Sequence, residues 1–166
     1  KRIVKHLSTN IEYLPNGDVL TVKRFQQLGL ILGFSDGMAT LNYLIENSFG
    51  SNNKITYNFL KTIYSIQSFD TNPIFSILHE ACYAQGFATN WSAERIKYEF
   101  SEFEIKQKNN FYFTGEMIYP WMFDCYYKLK KLKGATEILA KKKDWPELYN
   151  TDNLKKNGVP VAAVIY

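Results

Sequence analysis

Residues 28–41 read LGLILGFSDGMATL. Within them Gly33-Phe34-Ser35-Asp36-Gly37 fits the G-x-S-x-G pattern of a nucleophile elbow, in which a strand feeds a strained turn and a helix leaves it, exposing the serine oxygen. The residues upstream decide against that geometry. Val22, Phe25, Leu28 and Leu32 recur at three- and four-residue steps, with Lys23, Arg24, Gln26 and Gln27 between them. That is the period of one amphipathic helix and not the alternation of a strand. Ser35 therefore reads as the cap of a helix starting at Asp36, and the expected fold is mainly α.

The same period runs outward in both directions. The turn Pro15-Asn16-Gly17-Asp18 precedes the first helix. Met38, Leu41, Leu44 and Ile45 form a second apolar face, and Ile55, Phe59, Ile63 and Ile66 a third. Asn72 before Pro73 reads as a cap and first-turn proline, with Ile74, Ile77, Leu78, Ala81 and Cys82 lining a fourth helix. Asn90 is expected to cap a fifth, from Trp91 to Phe100. Phe123, Tyr126, Tyr127, Leu129 and Leu132 suggest a sixth, with Gly134 breaking it before a stretch from Ala135 to Lys143. SFGSNNK (48–54) and KQKNN (106–110) read as loops. Only the closing VPVAAVIY (159–166) reads as strand, so residues 1–158 form the helical body and 159–166 a strand returning to a sheet elsewhere.

Length and composition bound the rest. The 166 residues, 46% hydrophobic, suffice for one sizeable core or a large subdomain. The chain opens on Lys1-Arg2 and closes on an apolar run, so both ends are expected to be cuts in a longer protein. No apolar run reaches the roughly 18 residues of a membrane span, and no signal-peptide pattern opens the chain. Two cysteines without CxxC spacing and two histidines leave a zinc site short of ligands. No metal, no cofactor, no membrane partner and a cytoplasmic location are expected. A net charge of +4 is too small for a dedicated nucleic-acid binder.

Four downstream stretches carry more information: FDTNPIFSILHEACYAQGFATNWSAERI (69–96), FYFTGEMIYPWMFD (111–124), DWPELYN (144–150) and VPVAAVIY. Together they resemble the cap region of proline iminopeptidases, also called prolyl aminopeptidases, of the α/β-hydrolase superfamily. The resemblance is densest in His79-Glu80 through Trp91-Ser92-Ala93-Glu94-Arg95 and in Gly115-Glu116-Met117-Ile118-Tyr119-Pro120-Trp121. It implies a proline after the His-Glu pair, where this chain has Ala81. It also implies that the nucleophile, acid and histidine of a serine exopeptidase lie outside this segment, which alone would be inactive and would work against a separate α/β-hydrolase core.

By the same resemblance, Glu80 and Glu116 match the cap glutamates that hold the ammonium of a peptide with N-terminal proline. Tyr83 and Trp121 are the aromatic neighbours expected to line the site. The chemistry suits the task, because a cationic secondary amine calls for carboxylate acceptors and its ring for apolar walls. Against this stand blander roles for the glutamates, ion-paired with Arg95 or a lysine, or simply exposed. A glycosidase acid–base pair has no sugar-binding pattern to support it. His79-Glu80 opens like a zinc-binding H-E-x-x-H helix, but Tyr83 stands where the second histidine belongs. The alternative function is an autonomous helical interaction module using Lys128, Lys130, Lys131, Lys133, Lys141, Lys142 and Lys143, a lysine-rich face read by default as a solvated helix surface.

Overall fold

A computed structural model describes residues 1–105 and 110–165. Most of the expected KQKNN loop lies outside the described residues, as does Tyr166. The elements are α1 (Arg2–Thr9), α2 (Val22–Gln26), α3 (Gly37–Glu46), α4 (Tyr57–Ile66), α5 (Pro73–Leu78), α6 (Ser92–Lys97), α7 (Met122–Cys125), α8 (Lys133–Lys141) and α9 (Thr151–Lys155), interspersed with 3-10 turns. The mainly α class holds. Among the described residues the only β pairings are two isolated bridges, Tyr13 with Val19 and Phe49 with Ile55.

Two apolar cores organise the helices. In the first, Ile3, Val4 and Leu7 of α1 meet Phe25, Leu28, Ile31, Leu41, Phe59 and Ile63. In the second, Phe69, Ile118, Met122, Phe123, Tyr126 and Leu129 pack together, with Trp91 and Trp121 at the margin. Leu30 touches both. Local chemistry sets several boundaries. The Thr21 hydroxyl accepts the Arg24 N–H at 3.1 Å and starts α2, and the Thr56 hydroxyl does the same for Phe59 at 3.2 Å in α4.

The stretch that announced one amphipathic helix is two. α2 stops at Gln26 and tightens into a 3-10 helix, Gln27–Gly33. Of its polar residues only Lys23 faces solvent: Arg24 and Gln27 are 0% exposed and Gln26 2%. Arg24 donates to Asp18 at 3.1 Å and to Gln67 at 3.2 Å, and its guanidinium lies 3.8 Å from the Tyr126 ring centroid. A buried cation is tolerated only when so paired.

Ser35 does not cap. It sits exposed in a turn, and α3 begins at Gly37 after Asp36, with no side-chain cap bond. The second glycine of the pattern has a packing reason, since a Cβ on Gly37 would lie 1.9 Å from the Ile31 carbonyl oxygen. The pattern thus records a close helix-to-helix turn and not an elbow.

Other boundaries shift for identifiable reasons. Asn72 precedes Pro73 as expected but offers no side-chain cap, and α5 runs only to Leu78 before a 3-10 turn, Glu80–Tyr83. α6 is shorter than expected and is not capped by Asn90. Asn90 (φ 46°) and Trp91 (φ 57°) are both left-handed, so the helix cannot begin before Ser92. The expected sixth helix survives as the short α7, and Gly134 lies inside α8 instead of breaking it. Residues 159–165 are exposed and carry no β ladder, because an extended segment becomes a strand only when a neighbour satisfies its N–H and C=O groups.

Candidate functional site

Glu80 and Glu116, which are 36 positions apart, line one cavity of about 480 Å³. Its other walls include Tyr83, Phe87, Ile96 and Met117, with His79 and Ser92 at its polar edge. That volume falls in the range of small-ligand clefts, roughly 300–1,000 Å³.

Glu80 is placed by the chain reversal that shortens α6. Arg95 donates to the carbonyls of Thr89 at 2.9 Å and Asn90 at 3.0 Å, and Ser92 Oγ donates to the Thr89 carbonyl at 2.9 Å. These bonds hold the left-handed pair Asn90-Trp91 and aim the first amides of α6 back toward Glu80. Glu80 Oε1 accepts the Ala93 N–H at 2.9 Å. Its Oε2 is buried with no hydrogen-bond partner among the described residues. Arg95 is therefore committed to backbone carbonyls and forms no ion pair with Glu80. One carboxylate oxygen serves the fold and the other is unspent.

Glu116 is placed by the two buried glutamines. Gln26 Nε2 donates to the carbonyls of Phe103 and Tyr112 at 2.9 and 3.0 Å, and the Gln26 carbonyl accepts the Thr114 N–H at 2.9 Å. Gln27 Nε2 donates to the Met117 carbonyl at 2.9 Å, while its Oε1 accepts the Tyr126 hydroxyl at 2.9 Å. Burial pushes the Tyr126 phenol far up, so it remains a donor there. The turn bearing Glu116 is gripped on both sides. Its carboxylate is exposed and in no ion pair within 4 Å among the described residues.

Close approach completes the grip. A Cβ on Gly29 would stand 2.3 Å from the Thr114 carbonyl oxygen and 2.7 Å from Phe113 Cβ. Only glycine lets the 3-10 helix lie against the segment that carries Glu116.

Tyr83 lies on the cavity wall and is exposed. Trp121 does not line it. It stacks on Tyr119 with centroids 5.9 Å apart and 14° between planes, and it leans on Tyr126. Proximity in sequence to Glu116 misleads there, because Trp121 begins the turn into α7 and faces the second core. Nothing in the sequence marks His79 or Phe87 as wall residues; His79 packs at a tilt against Phe75 (4.7 Å between centroids) and edge-on against Tyr83 (5.8 Å). The DWPELYN stretch is tied beside the cavity, with Gln85 Oε1 accepting the N–H groups of Leu148 and Tyr149 at 2.6 and 2.9 Å.

Among the described residues no group of three or more metal-binding side chains is assembled, and no helix is long and apolar enough to cross a membrane. The lysine-rich face is partly neutralised: Lys133 meets Asp124 at 2.6 Å, Lys142 meets Asp144 at 2.7 Å and Lys141 meets Glu137 at 3.6 Å.

No family model matches the chain. Two curated relatives do. Over 165 residues, 99% of the chain, it is 45% identical to a proline iminopeptidase of Aeromonas sobria, covering 39% of that protein. Over 164 residues, 97% of the chain, it is 36% identical to the proline iminopeptidase aneH of Aspergillus aculeatus, covering 36% of that protein. The chain is thus similar to proline iminopeptidases across nearly all its length, and it spans less than two fifths of theirs.

Proposed function

We propose that this chain, a relative of the proline iminopeptidases matched along a part of their length, is the helical cap of a serine aminopeptidase that releases N-terminal proline. In this reading residues 1–158 are the cap and 159–166 return to an α/β-hydrolase core that carries the catalytic triad. The protein works in the reducing cytoplasm, as its free thiols Cys82 and Cys125 allow. The observation that carries the reading is the shared cavity: two glutamates from separate segments, one with a buried oxygen that has no partner among the described residues, among apolar and aromatic walls.

A prolyl N-terminus is a secondary ammonium with two N–H donors on a five-membered apolar ring. Glu80 Oε2 accepts one donor and Glu116 the other, and the ring rests against Tyr83, Phe87, Ile96 and Met117. Trp121 contributes by bracing Tyr119. Holding the amine positions the scissile carbonyl for a nucleophile supplied by the core. The chain itself breaks no bond, so the glutamates act on specificity.

A charge-assisted hydrogen bond is worth about 1.5–3 kcal/mol. In the full-length protein, Glu80→Gln and Glu116→Gln are each expected to lower kcat/KM for proline p-nitroanilide about ten- to a hundredfold, with Glu116→Gln toward the low end because that carboxylate is exposed. An ester lacking the amine is expected to lose little with either. Glu116→Gln should leave the melting temperature unchanged, whereas a Gln at position 80 keeps an acceptor for the Ala93 N–H. Equal losses on amine and amine-free substrates, accompanied by a lower melting temperature, would refute the recognition role.

The lysine-rich module is the weaker reading. Three of its lysines already have carboxylate partners, while Glu80 and Glu116 have no lysine or arginine within 4 Å among the described residues.

A further inference from the structure

A second cavity, about 350 Å³, lies beside the first and shares Ala93, Ile96 and Met117 with it. Its remaining walls come from Phe100, Phe103, Thr114, Gly115 and Tyr119, with one charged residue, Lys97. Among the described residues the first cavity is lined by two carboxylates and no lysine or arginine, and the second by a lysine and no carboxylate. Across one shared wall, the pair has the polarity of a zwitterion reversed.

Lys97 sits at the end of α6, one turn beyond Ala93, the residue whose amide Glu80 holds. It is half-buried, its ammonium 5.2 Å from the centroid of the Tyr119 ring. Desolvation pulls its pKa below the ordinary lysine range, Lys23 adds to the drop, and Glu94 opposes it. Glu94 is no ion-pair partner within 4 Å, and its Oε1 accepts the Tyr98 hydroxyl at 3.1 Å. An ammonium that has lost part of its water to aromatic walls gains most from an anion that enters the same trough.

We infer that this second cavity is a carboxylate subsite, in which Lys97 receives the free C-terminus of a short peptide whose N-terminal amine lies between Glu80 and Glu116. The inference rests on the aminopeptidase reading above and narrows its substrate class to dipeptides and tripeptides with an unblocked C-terminus. An extended chain advances about 3.3–3.6 Å per residue, so two or three residues reach about 7–11 Å. Ile96, Met117 and Phe100 offer apolar surface to the side chains between.

The test compares Pro-Ala and Pro-Ala-Ala as free acids with the same peptides as C-terminal carboxamides, using the full-length protein and reading kcat/KM. The free acids are expected to be favoured about three- to tenfold, an effect residing in KM, and Lys97→Met is expected to bring the ratio to about one. Lys97→Arg should retain most of the preference. Lys97→Gln serves as a second neutral variant should the methionine protein fold poorly. Absence of any free-acid preference in the unaltered protein, or an equal loss on both peptide forms in Lys97→Met, overturns the subsite while leaving the amine site standing. Failure to cleave any N-terminal prolyl substrate overturns the aminopeptidase reading, and this inference with it.

Discussion

Replacing Gly29 with alanine is the sharpest test of how the fold places Glu116. The added Cβ would lie 2.3 Å from the Thr114 carbonyl oxygen and 2.7 Å from Phe113 Cβ. Both atoms are fixed to the backbone, so no rotamer change relieves the overlap. Either the 3-10 helix or the 113–117 segment must shift by about an ångström, which strains the Gln26 and Gln27 bonds that grip the turn. Overpacking of this kind costs about 1–3 kcal/mol, and for a chain of this size each kcal/mol moves Tm by roughly 2–4 °C. Gly29→Ala is therefore expected to lower Tm by on the order of 2–12 °C in a circular dichroism melt. Gly134→Ala is the control, since that position inside α8 is open, with nothing within 4 Å of an added Cβ. There alanine should be neutral or stabilise by up to about 1 kcal/mol. In the full-length protein Gly29→Ala should also raise KM for prolyl substrates, by displacing Glu116. A Gly29→Ala protein melting at or above the unaltered one would refute the close-approach argument. A lower Tm with unchanged KM would show that the grip stabilises the fold without positioning the carboxylate.

Three further outcomes are expected. Burial, with the neighbouring Asp18 charge adding and Arg24 opposing, raises the Asp70 carboxyl above the ordinary range, and its Oδ1 is buried without a partner among the described residues. The folded chain thus holds that proton more tightly than the unfolded one, so Asp70's contribution to stability falls as pH rises through its raised pKa. Asp70→Asn should gain in Tm over the unaltered protein above that window and lose the gain below it; a difference independent of pH between 3 and 8 would contradict this. Ser35→Ala should change stability by less than about 0.5 kcal/mol, because the exposed hydroxyl caps nothing. A serine-directed fluorophosphonate should leave the 166-residue chain unlabelled, and stoichiometric labelling at Ser35 would restore the nucleophile-elbow reading.

The sequence made the helical class legible because apolar residues at steps of three and four survive in every context, and α3 and α4 fall close to where Leu41, Leu44, Phe59 and Ile63 pointed. It misjudged polarity. Arg24, Gln26 and Gln27 have the spacing of a solvent face, yet the second half of the molecule folds over them and uses their donors and acceptors to fasten distant loops. No local pattern distinguishes a glutamine facing water from one facing the carbonyls of Phe103, Tyr112 and Met117. Element ends were misplaced for related reasons. The left-handed pair Asn90-Trp91 is imposed by Arg95 and Ser92 from downstream, and Gly134 is absorbed by α8 because nothing at that point requires a break.

The candidate site was legible through resemblance and composition, but the unequal status of its two carboxylates was not. Glu80 is part of the fold through the Ala93 amide, and Glu116 is not held by any side-chain bond of its own among the described residues. A buried acceptor without a donor is unfavourable to folding by about 1–3 kcal/mol. Glutamate carries a second oxygen that is buried without a donor among the described residues, at a position lining the cavity that Glu116 also lines, and in the proposed reading the substrate ammonium supplies that donor.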